Sequence, residues 1–251
     1  MSTPPRTCCG RPGDPDAQRE QLHPHLSRAA ALRLPHRTRA GRRHPVADCR
    51  SVLRALPAHL VERMRTHGWL LKRTYSDHLS VDWRSAFATD SPAEVERYCA
   101  ENLISCDWRP DGNLRTRQLR PGIIRHPESG EEVWFNHLAF WNEWSLDEEV
   151  RETLVDELGH DALPFNTAFG DGPPPTRDEL DTLNGAYEAA TVRRPWEAGD
   201  LLLVDNIRSA HGRDPFRGDR RIVVALGAPV ALADCRPPPR PPPTRRTRPK
   251  W

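Results

Sequence analysis

The chain has 251 residues, with 37 Lys and Arg against 35 Asp and Glu, and a formal net charge of +2 at pH 7. This length suits one sizeable domain with its own hydrophobic core. The near balance of charge argues against a general polyanion binder, no apolar run approaches the roughly 18 residues of a membrane span, and the N-terminus lacks a signal-like apolar core. We therefore expect a cytoplasmic protein with neither a membrane nor a nucleic-acid partner.

Composition divides the chain into three segments. Residues 1–44 are dense in Arg, Pro and His and show no sustained strand or helix pattern. Residues 45–229 have the patterning of a globular domain, and residues 230–251 form a Pro/Arg-rich tail of a composition typical of disorder. The six cysteines include no Cys-x-x-Cys pair, which favours free thiols.

Helix-start signals recur through the middle segment. The helices predicted in chain order cover residues 51–56, 57–65, 92–99, 146–158 and 176–190. Their starts are marked by Ser51, by Ser91 before a proline, and by two capping boxes that begin at Ser145 and Thr176, and Gly159 marks one end.

Residues 196–227 carry the most information. Two Gly-Asp turns lead into the apolar runs 201–204 and 222–224, which predict two buried strands with a loop between them. The loop contains His211, and Arg221 follows ten residues later. Imidazole is a common iron ligand and a guanidinium binds carboxylates through two hydrogen bonds, so this loop could hold a metal and an acidic co-substrate.

Two further blocks precede this loop. Residues 117–137 read RQLRPGIIRHPESGEEVWFNH, in which residues 128–130 predict a turn and residues 133–135 a strand. Residues 165–172 read FNTAFGDG. In this order the three blocks resemble the taurine dioxygenase-like family of Fe(II)/2-oxoglutarate oxygenases, in particular the natural-product branch typified by the syringomycin-pathway hydroxylase. The resemblance covers about residues 45–229.

The resemblance implies a mainly β fold with flanking helices, a double-stranded β-helix or jelly roll related to clavaminate synthase. It implies Fe(II), 2-oxoglutarate and O₂, with 2-oxoglutarate decarboxylated to succinate while a C–H bond is hydroxylated. The expected substrate is an amino acid or related small molecule, free or bound to a carrier protein, in antibiotic or other natural-product biosynthesis. His211 matches the distal metal ligand, and Arg221 matches the arginine that binds 2-oxoglutarate.

Several of these assignments have alternatives. Taken without the resemblance, His211 fits a surface or hydrogen-bonded histidine, and Arg220 is an alternative to Arg221 for 2-oxoglutarate. The substrate candidates each have a structural alternative as well, since a surface ion pair or a capping side chain explains such residues equally well. They are Asn136, His137, Arg117 and Arg213.

The N-terminal segment departs from the family. The family's other two metal ligands form a His-x-Asp/Glu pair upstream of the matching region, and residues 1–50 contain no such pair. His23 and His25 have the spacing without the carboxylate, which a 2-His-1-carboxylate site requires. The chain as written is therefore predicted to bind Fe(II) weakly.

Back-translation offers a cause for this departure. Read one base later, codons for residues 17–23 permit His-Asn-Glu-Asn-Ser-Tyr and codons for residues 41–44 permit Gly-Gly-Asp-Thr, which both resemble family elements. We therefore expect residues 1–44 to be translated out of frame. The alternative is a catalytically inactive remnant of such an enzyme, and a third hypothesis is a basic protein that binds nucleic acid through its tail.

Overall fold

The computed structural model describes residues 25–33, 44–77, 80–197, 199–212 and 222–235. Within these ranges the strands are β1 His25–Arg33, β2 Val46–Asp48, β3 Trp69–Tyr75, β4 Ile104–Trp108, β5 Leu114–Arg120, β6 Ile123–Arg125, β7 Glu132–Trp134, β8 Phe165–Phe169, β9 Thr191–Val192, β10 Leu201–Asp205, β11 Ser209–His211 and β12 Val223–Ala231. The α-helices are α1 Cys49–Ala55, α2 Ala58–His67, α3 Trp83–Phe87, α4 Pro92–Glu101, α5 Glu148–Leu158 and α6 Arg177–Ala189.

Two of the predicted helix starts are confirmed. Ser91 caps α4, where its hydroxyl accepts the backbone N–H of Glu94, and a proline occupies the first turn. Thr176 and Glu179 form a complete capping box at the start of α6. The predicted end of α5 at Gly159 is also confirmed.

The other two predicted caps are wrong. Asp48, and not Ser51, caps α1 by accepting the N–H of Arg50. Asp147, and not Ser145, caps α5, because Ser145 already belongs to a 3-10 turn that ends just before it. In both places an aspartate two or three residues away competes with the serine, and these residue types are nearly equivalent as caps.

The largest sheet is antiparallel with the order β4-β5-β3-β8. Burial alternates along β3, where Trp69, Leu71, Arg73 and Tyr75 are buried and the residues between them are partly exposed. Trp69 and Leu71 belong to the main hydrophobic cluster, which also includes buried side chains of α1, α2, β6, β7 and α6. One member of this buried face, Arg73, is a charged residue.

The first 44 residues contain a strand that the sequence pattern does not predict. β1 lies at the centre of a three-stranded antiparallel sheet, between β10 and β12. Ala30 and Leu32 are buried in a small cluster with Trp196 and Val204. The run of alanines in β1 lacks the polar alternation that signals a strand, so the prediction of no strand in residues 1–44 is wrong for residues 25–33.

The predicted burial of the two apolar runs is also largely wrong. Val204 is 4% exposed, whereas Leu201 and Leu203 are 69% and 73% exposed. Val223 and Val224 are nearly half exposed. Alternate residues of β10 point to opposite faces of the sheet, and only one face carries the cluster around Trp196.

The fold continues beyond the predicted domain boundary at residue 229. β12 runs to Ala231, and a 3-10 turn, Leu232–Cys235, follows it. Cys235 is fully buried within the main hydrophobic cluster. The predicted tail therefore begins with structured residues, and residues 236–251 lie outside the described ranges.

Two small sheets complete the architecture. β6 pairs with β7 in a hairpin, and β2 lies between β11 and β9. The hairpin turn falls at residues 128–130 as predicted, with Gly130 at a φ of +69°, where a side chain would be strained. No helix in the described ranges is both long enough and apolar enough to cross a membrane.

Candidate active site

His211 is the last residue of β11 and lies opposite Val46 of β2. The N–H of Gly212 donates to the carbonyl of Pro45 at 3.0 Å, just beyond this pair. At the other end of β11, the N–H of Cys49 donates to the carbonyl of Arg208 at 2.9 Å. The sequence predicts a loop here, but pairing with β2 and a backbone hydrogen bond beyond each end of β11 hold His211 in a short strand.

A second histidine, His44, lies against His211. Nε2 of His44 is 3.0 Å from Nδ1 of His211, so one imidazole donates a hydrogen bond to the other. Both side chains are largely buried, with residue exposures of 4% and 9%. The indole of Trp196 lies beside His44, with 5.2 Å between the ring centroids. The hydrogen bond through Nδ1 fixes the His211 ring in one orientation, as the outer hydrogen bonds of metal-binding histidines do.

The side chain of Asp205 stabilises the turn that leads into β11. Its Oδ1 accepts the backbone N–H groups of Ile207 and Arg208, both at 3.1 Å. Its Oδ2 lies 2.9 Å from Nε2 of His126, a side chain that is almost completely buried. Nδ1 of His126 lies within hydrogen-bond distance of the backbone N–H groups of Glu128 and Ser129. Because Nδ1 is the acceptor, the proton resides on Nε2, and His126 donates to Asp205.

These bonds give the β6–β7 hairpin, whose turn reads His-Pro-Glu-Ser-Gly at residues 126–130, a structural role. The imidazole of His126 joins the β6–β7 turn to the β10–β11 turn, and the latter turn leads directly to His211. We call this set of contacts the His126–Asp205 bridge. A carboxylate that accepts three N–H groups restrains a turn strongly, so the bridge positions the start of β11.

Ion pairs reinforce the same region. Arg50 of α1 donates to both carboxylate oxygens of Glu131 in the hairpin at 2.7 Å, and to Asp48 in β2 at 3.0 Å. The hydrogen bond from Arg50 holds the pKa of Glu131 below its usual value. The hairpin is also tied to β1 by an ion pair between Arg28 and Glu128. The hairpin, β1 and β2 are thus linked around the His44–His211 pair.

The predicted substrate residues have different surroundings. Asn136 is buried, donates to the carbonyl of Gly122 at 3.0 Å and accepts the N–H of Leu138 at 3.1 Å, so its side chain closes the turn after β7. His137 is partly buried, with its ring centroid 6.1 Å from that of Trp69. Arg117 is exposed on the outer side of β5 and contributes to lowering the pKa of Asp161 there.

Arg213, Arg220 and Arg221 lie outside the described residues. Their roles in substrate and 2-oxoglutarate binding therefore stay predictions. Of the candidates within the described ranges, Asn136 and His137 lie just after β7, and Arg117 lies on a solvent-exposed face; their roles in substrate binding also stay predictions.

The sequence interpretation missed two groups of residues. His44 and Asp205 were not among the candidates, although Asp205 lies in the Asp-Asn pair that ends the strand before His211. A buried polar network around Glu143 was also missed. Its carboxylate accepts from Asn166 at 3.0 Å and lies 2.9 Å from Nδ1 of His160.

The described residues supply one imidazole for a metal, that of His211, with His44 hydrogen bonded to its Nδ1, and they do not complete a three-ligand site. Within those ranges there is no group of three or more His, Cys, Asp or Glu side chains arranged to hold an ion. His211 has His44 beside it and no carboxylate in the position that a 2-His-1-carboxylate centre requires. The described part of the chain therefore supplies one of the three ligands of such a centre, His211.

Two relatives of known name share much of this sequence. The dapdiamide synthesis protein DdaC of Enterobacter agglomerans is 39% identical over 186 residues, which is 74% of this chain and 56% of that protein. A clavaminate synthase-like protein of Arabidopsis thaliana is 29% identical over 174 residues, 66% of this chain and 49% of that protein. The chain thus spans about half the length of these relatives.

Solved structures of similar shape include a taurine dioxygenase from Burkholderia xenovorans, with a TM-score of 0.45 and 16% identity over 93% of this chain and 63% of that one. Another is AAD-2 in complex with Mn(II) and N-oxalylglycine, with a TM-score of 0.48 and 13% identity over 88% of this chain and 68% of that one.

The family comparison covers most of the chain. The sequence profile described as "Taurine catabolism dioxygenase TauD, TfdA family" matches residues 18–226. This range contains the blocks 117–137 and 165–172 and all but the last residue of the block 196–227, and it begins within the segment before residue 45. The chain belongs to the taurine catabolism dioxygenase family.

Proposed function

We propose that this protein is an Fe(II)/2-oxoglutarate-dependent dioxygenase that hydroxylates an amino acid or related small molecule in a natural-product pathway. The observation that carries the proposal is the family match over residues 18–226, with His211 buried at the end of a strand inside the matched range. Similarity to a protein named for dapdiamide synthesis supports the natural-product setting. The substrate is a small molecule, either free or attached to a carrier protein.

The contribution of His211 follows from its surroundings. In the chain as written, Nδ1 of His211 is hydrogen bonded to His44, so a metal at His211 would bind through Nε2. When bound, Fe(II) supplies the oxidative decarboxylation of 2-oxoglutarate to succinate and the hydroxylation of a C–H bond. The chain's own part is to hold this imidazole, which is 9% exposed, by the β2–β11 pairing and the His126–Asp205 bridge.

The second candidate is a catalytically inactive relative that keeps the fold. It is favoured by the incomplete ligand set of the described residues and by the lack of a His-x-Asp/Glu pair in residues 1–50. This candidate predicts a folded protein whose metal affinity stays low and whose 2-oxoglutarate is not turned over.

One comparison separates the two candidates. We would prepare the chain as written and a second protein in which residues 17–44 are encoded in the alternative frame. Both are equilibrated with Fe(II) without oxygen to measure bound iron, and 2-oxoglutarate and O₂ are then added to measure succinate formation. The proposal predicts weak iron binding by the chain as written, and stoichiometric iron with succinate formation by the second protein. A folded second protein without iron or succinate favours the inactive relative. Tight iron binding by the chain as written overturns the prediction about its N-terminal segment.

A further inference from the structure

Arg73 is a buried cation on the core-facing side of β3. It is 6% exposed, and its cross-strand neighbours are Thr116 of β5 and Phe165 of β8. Its guanidinium carbon lies 5.0 Å from the ring centre of Tyr75 and 5.2 Å from that of Trp141. No described residue forms an ion pair with it, and its buried Nε makes no hydrogen bond within the described ranges. Burial of an unpaired charge is strongly unfavourable, so this arrangement requires an explanation.

The other arginines that stack on aromatic rings differ in one respect. Each has a carboxylate partner as well: Arg63 over Phe169 pairs with Asp171, Arg84 over Trp83 with Asp82, Arg151 over Trp144 with Glu143, and Arg177 over Trp144 with Asp181. Among the described residues Arg73 is the exception in this group. It is also the most buried of the five.

The two rings beside Arg73 carry further donors without acceptors. The buried hydroxyl of Tyr75 and the buried indole N–H of Trp141 make no hydrogen bond within the described part of the chain. Glu143, a buried acid two residues after Trp141, is hydrogen bonded to His160 and Asn166 instead. Three buried donors therefore lie on Arg73 and on the two rings beside it, and one of the three belongs to a cation. A carboxylate fits such donors, because its oxygens accept several hydrogen bonds at once.

We propose that Arg73, Tyr75 and Trp141 form a binding site for the carboxylate of a small-molecule ligand. The choice of ligands to test rests on the proposed function, which supplies two sources of this group: 2-oxoglutarate and an amino-acid substrate. The ligand's carboxylate replaces the missing protein partner, and the aromatic rings exclude water from the ion pair. The site involves none of the residues around His211.

The test uses the full chain without metal, so that it does not depend on iron binding. Unfolding temperature and tryptophan fluorescence are measured with 2-oxoglutarate, with L-glutamate, and with uncharged glutaramide as control. We expect one of the two carboxylates, and not glutaramide, to raise the unfolding temperature and change the fluorescence. Which of the two acts identifies the source. A response to neither overturns the proposal.

Substitutions assign the response to Arg73. Arg73→Met should weaken ligand binding at least tenfold and leave the ligand-free unfolding temperature unchanged or higher, because it removes an unpaired buried charge and keeps the aliphatic stem. Tyr75→Phe, which removes only the hydroxyl, should weaken binding without destabilising the free protein. The matched control, Arg63→Met, should lower the unfolding temperature and keep ligand binding, since its guanidinium already has a partner. Retained binding in Arg73→Met, or a loss of stability in it as large as in Arg63→Met, contradicts the proposal.

Discussion

Replacing Asp205 by Asn tests the bridge that positions β11. The substitution keeps one oxygen for the N–H groups of Ile207 and Arg208, and it places an amide NH₂ opposite the Nε2–H donor of His126. His126 cannot switch tautomers cheaply, since its Nδ1 accepts backbone N–H groups. A buried donor left without an acceptor costs about 1–3 kcal/mol, and partial exposure of Asp205 places the expected loss at about 1–2 kcal/mol.

Asp205→Ala removes all three hydrogen bonds, and we expect it to cost about 2–4 kcal/mol. Urea unfolding followed by circular dichroism gives these free energies. The control is Asp161→Asn, a carboxylate on the surface whose pair with Lys72 is worth under about 1 kcal/mol. A double-mutant cycle with His126→Ala should show a coupling of about 1 kcal/mol. If Asp205→Asn costs no more than Asp161→Asn, or if the cycle shows no coupling, the bridge does not position this turn.

Three further predictions concern single contacts. Asn136→Ala should lower the free energy of unfolding by about 1–3 kcal/mol, because two buried backbone groups lose their partner, and Asn136→Asp should lower it at least as much at neutral pH, because a buried carboxylate oxygen then faces the carbonyl of Gly122. In the protein with the alternative N-terminal frame, Arg221→Ala should weaken 2-oxoglutarate binding by on the order of 2–5 kcal/mol and leave prime-substrate binding nearly unchanged; if Arg220→Ala causes the loss, the role moves by one residue. The hydrogen bond from Lys72 lowers the pKa of Asp161 from its usual 3.8, so this pair stabilises the folded state above pH 3.8 and ceases to do so as the pH falls through the lowered pKa. Lys72→Met should therefore be less stable than the unsubstituted protein at pH 6, by under about 1 kcal/mol, and equally stable at strongly acidic pH; a constant difference across this range would show that the carboxyl is not involved.

Family membership confirms the fold class predicted from the sequence, a mainly β jelly roll with flanking helices. It could be predicted because the three sequence blocks occur in the order that the family has, and each combines a turn or strand pattern with residues that match the family. β1 could not be predicted from periodicity, since an alanine run in a central strand has no polar face to alternate with. β1 pairs with β10 and β12, which are distant in the sequence, and the local sequence does not determine such pairing.

The candidate site was predicted in part. His211 was identified by its place after an apolar strand, and its position in β11 depends on pairing with β2, a contact across more than 160 residues. His44 was not predicted as a site residue, because it lies in the segment expected to be out of frame and belongs to no local motif. Arg73 has the alternating position of a core residue in β3, and the sequence alone does not reveal that its charge is buried.

The most direct test of the account is the iron content of His211→Ala. In the protein with the alternative N-terminal frame, this substitution removes one expected metal ligand and touches little of the core, so circular dichroism should stay native-like. Bound iron and succinate formation should both be lost, whereas His59→Ala, a change to an exposed histidine of α2, should retain them. A His211→Ala protein that still holds stoichiometric iron and forms succinate would contradict the placement of the metal site at the end of β11.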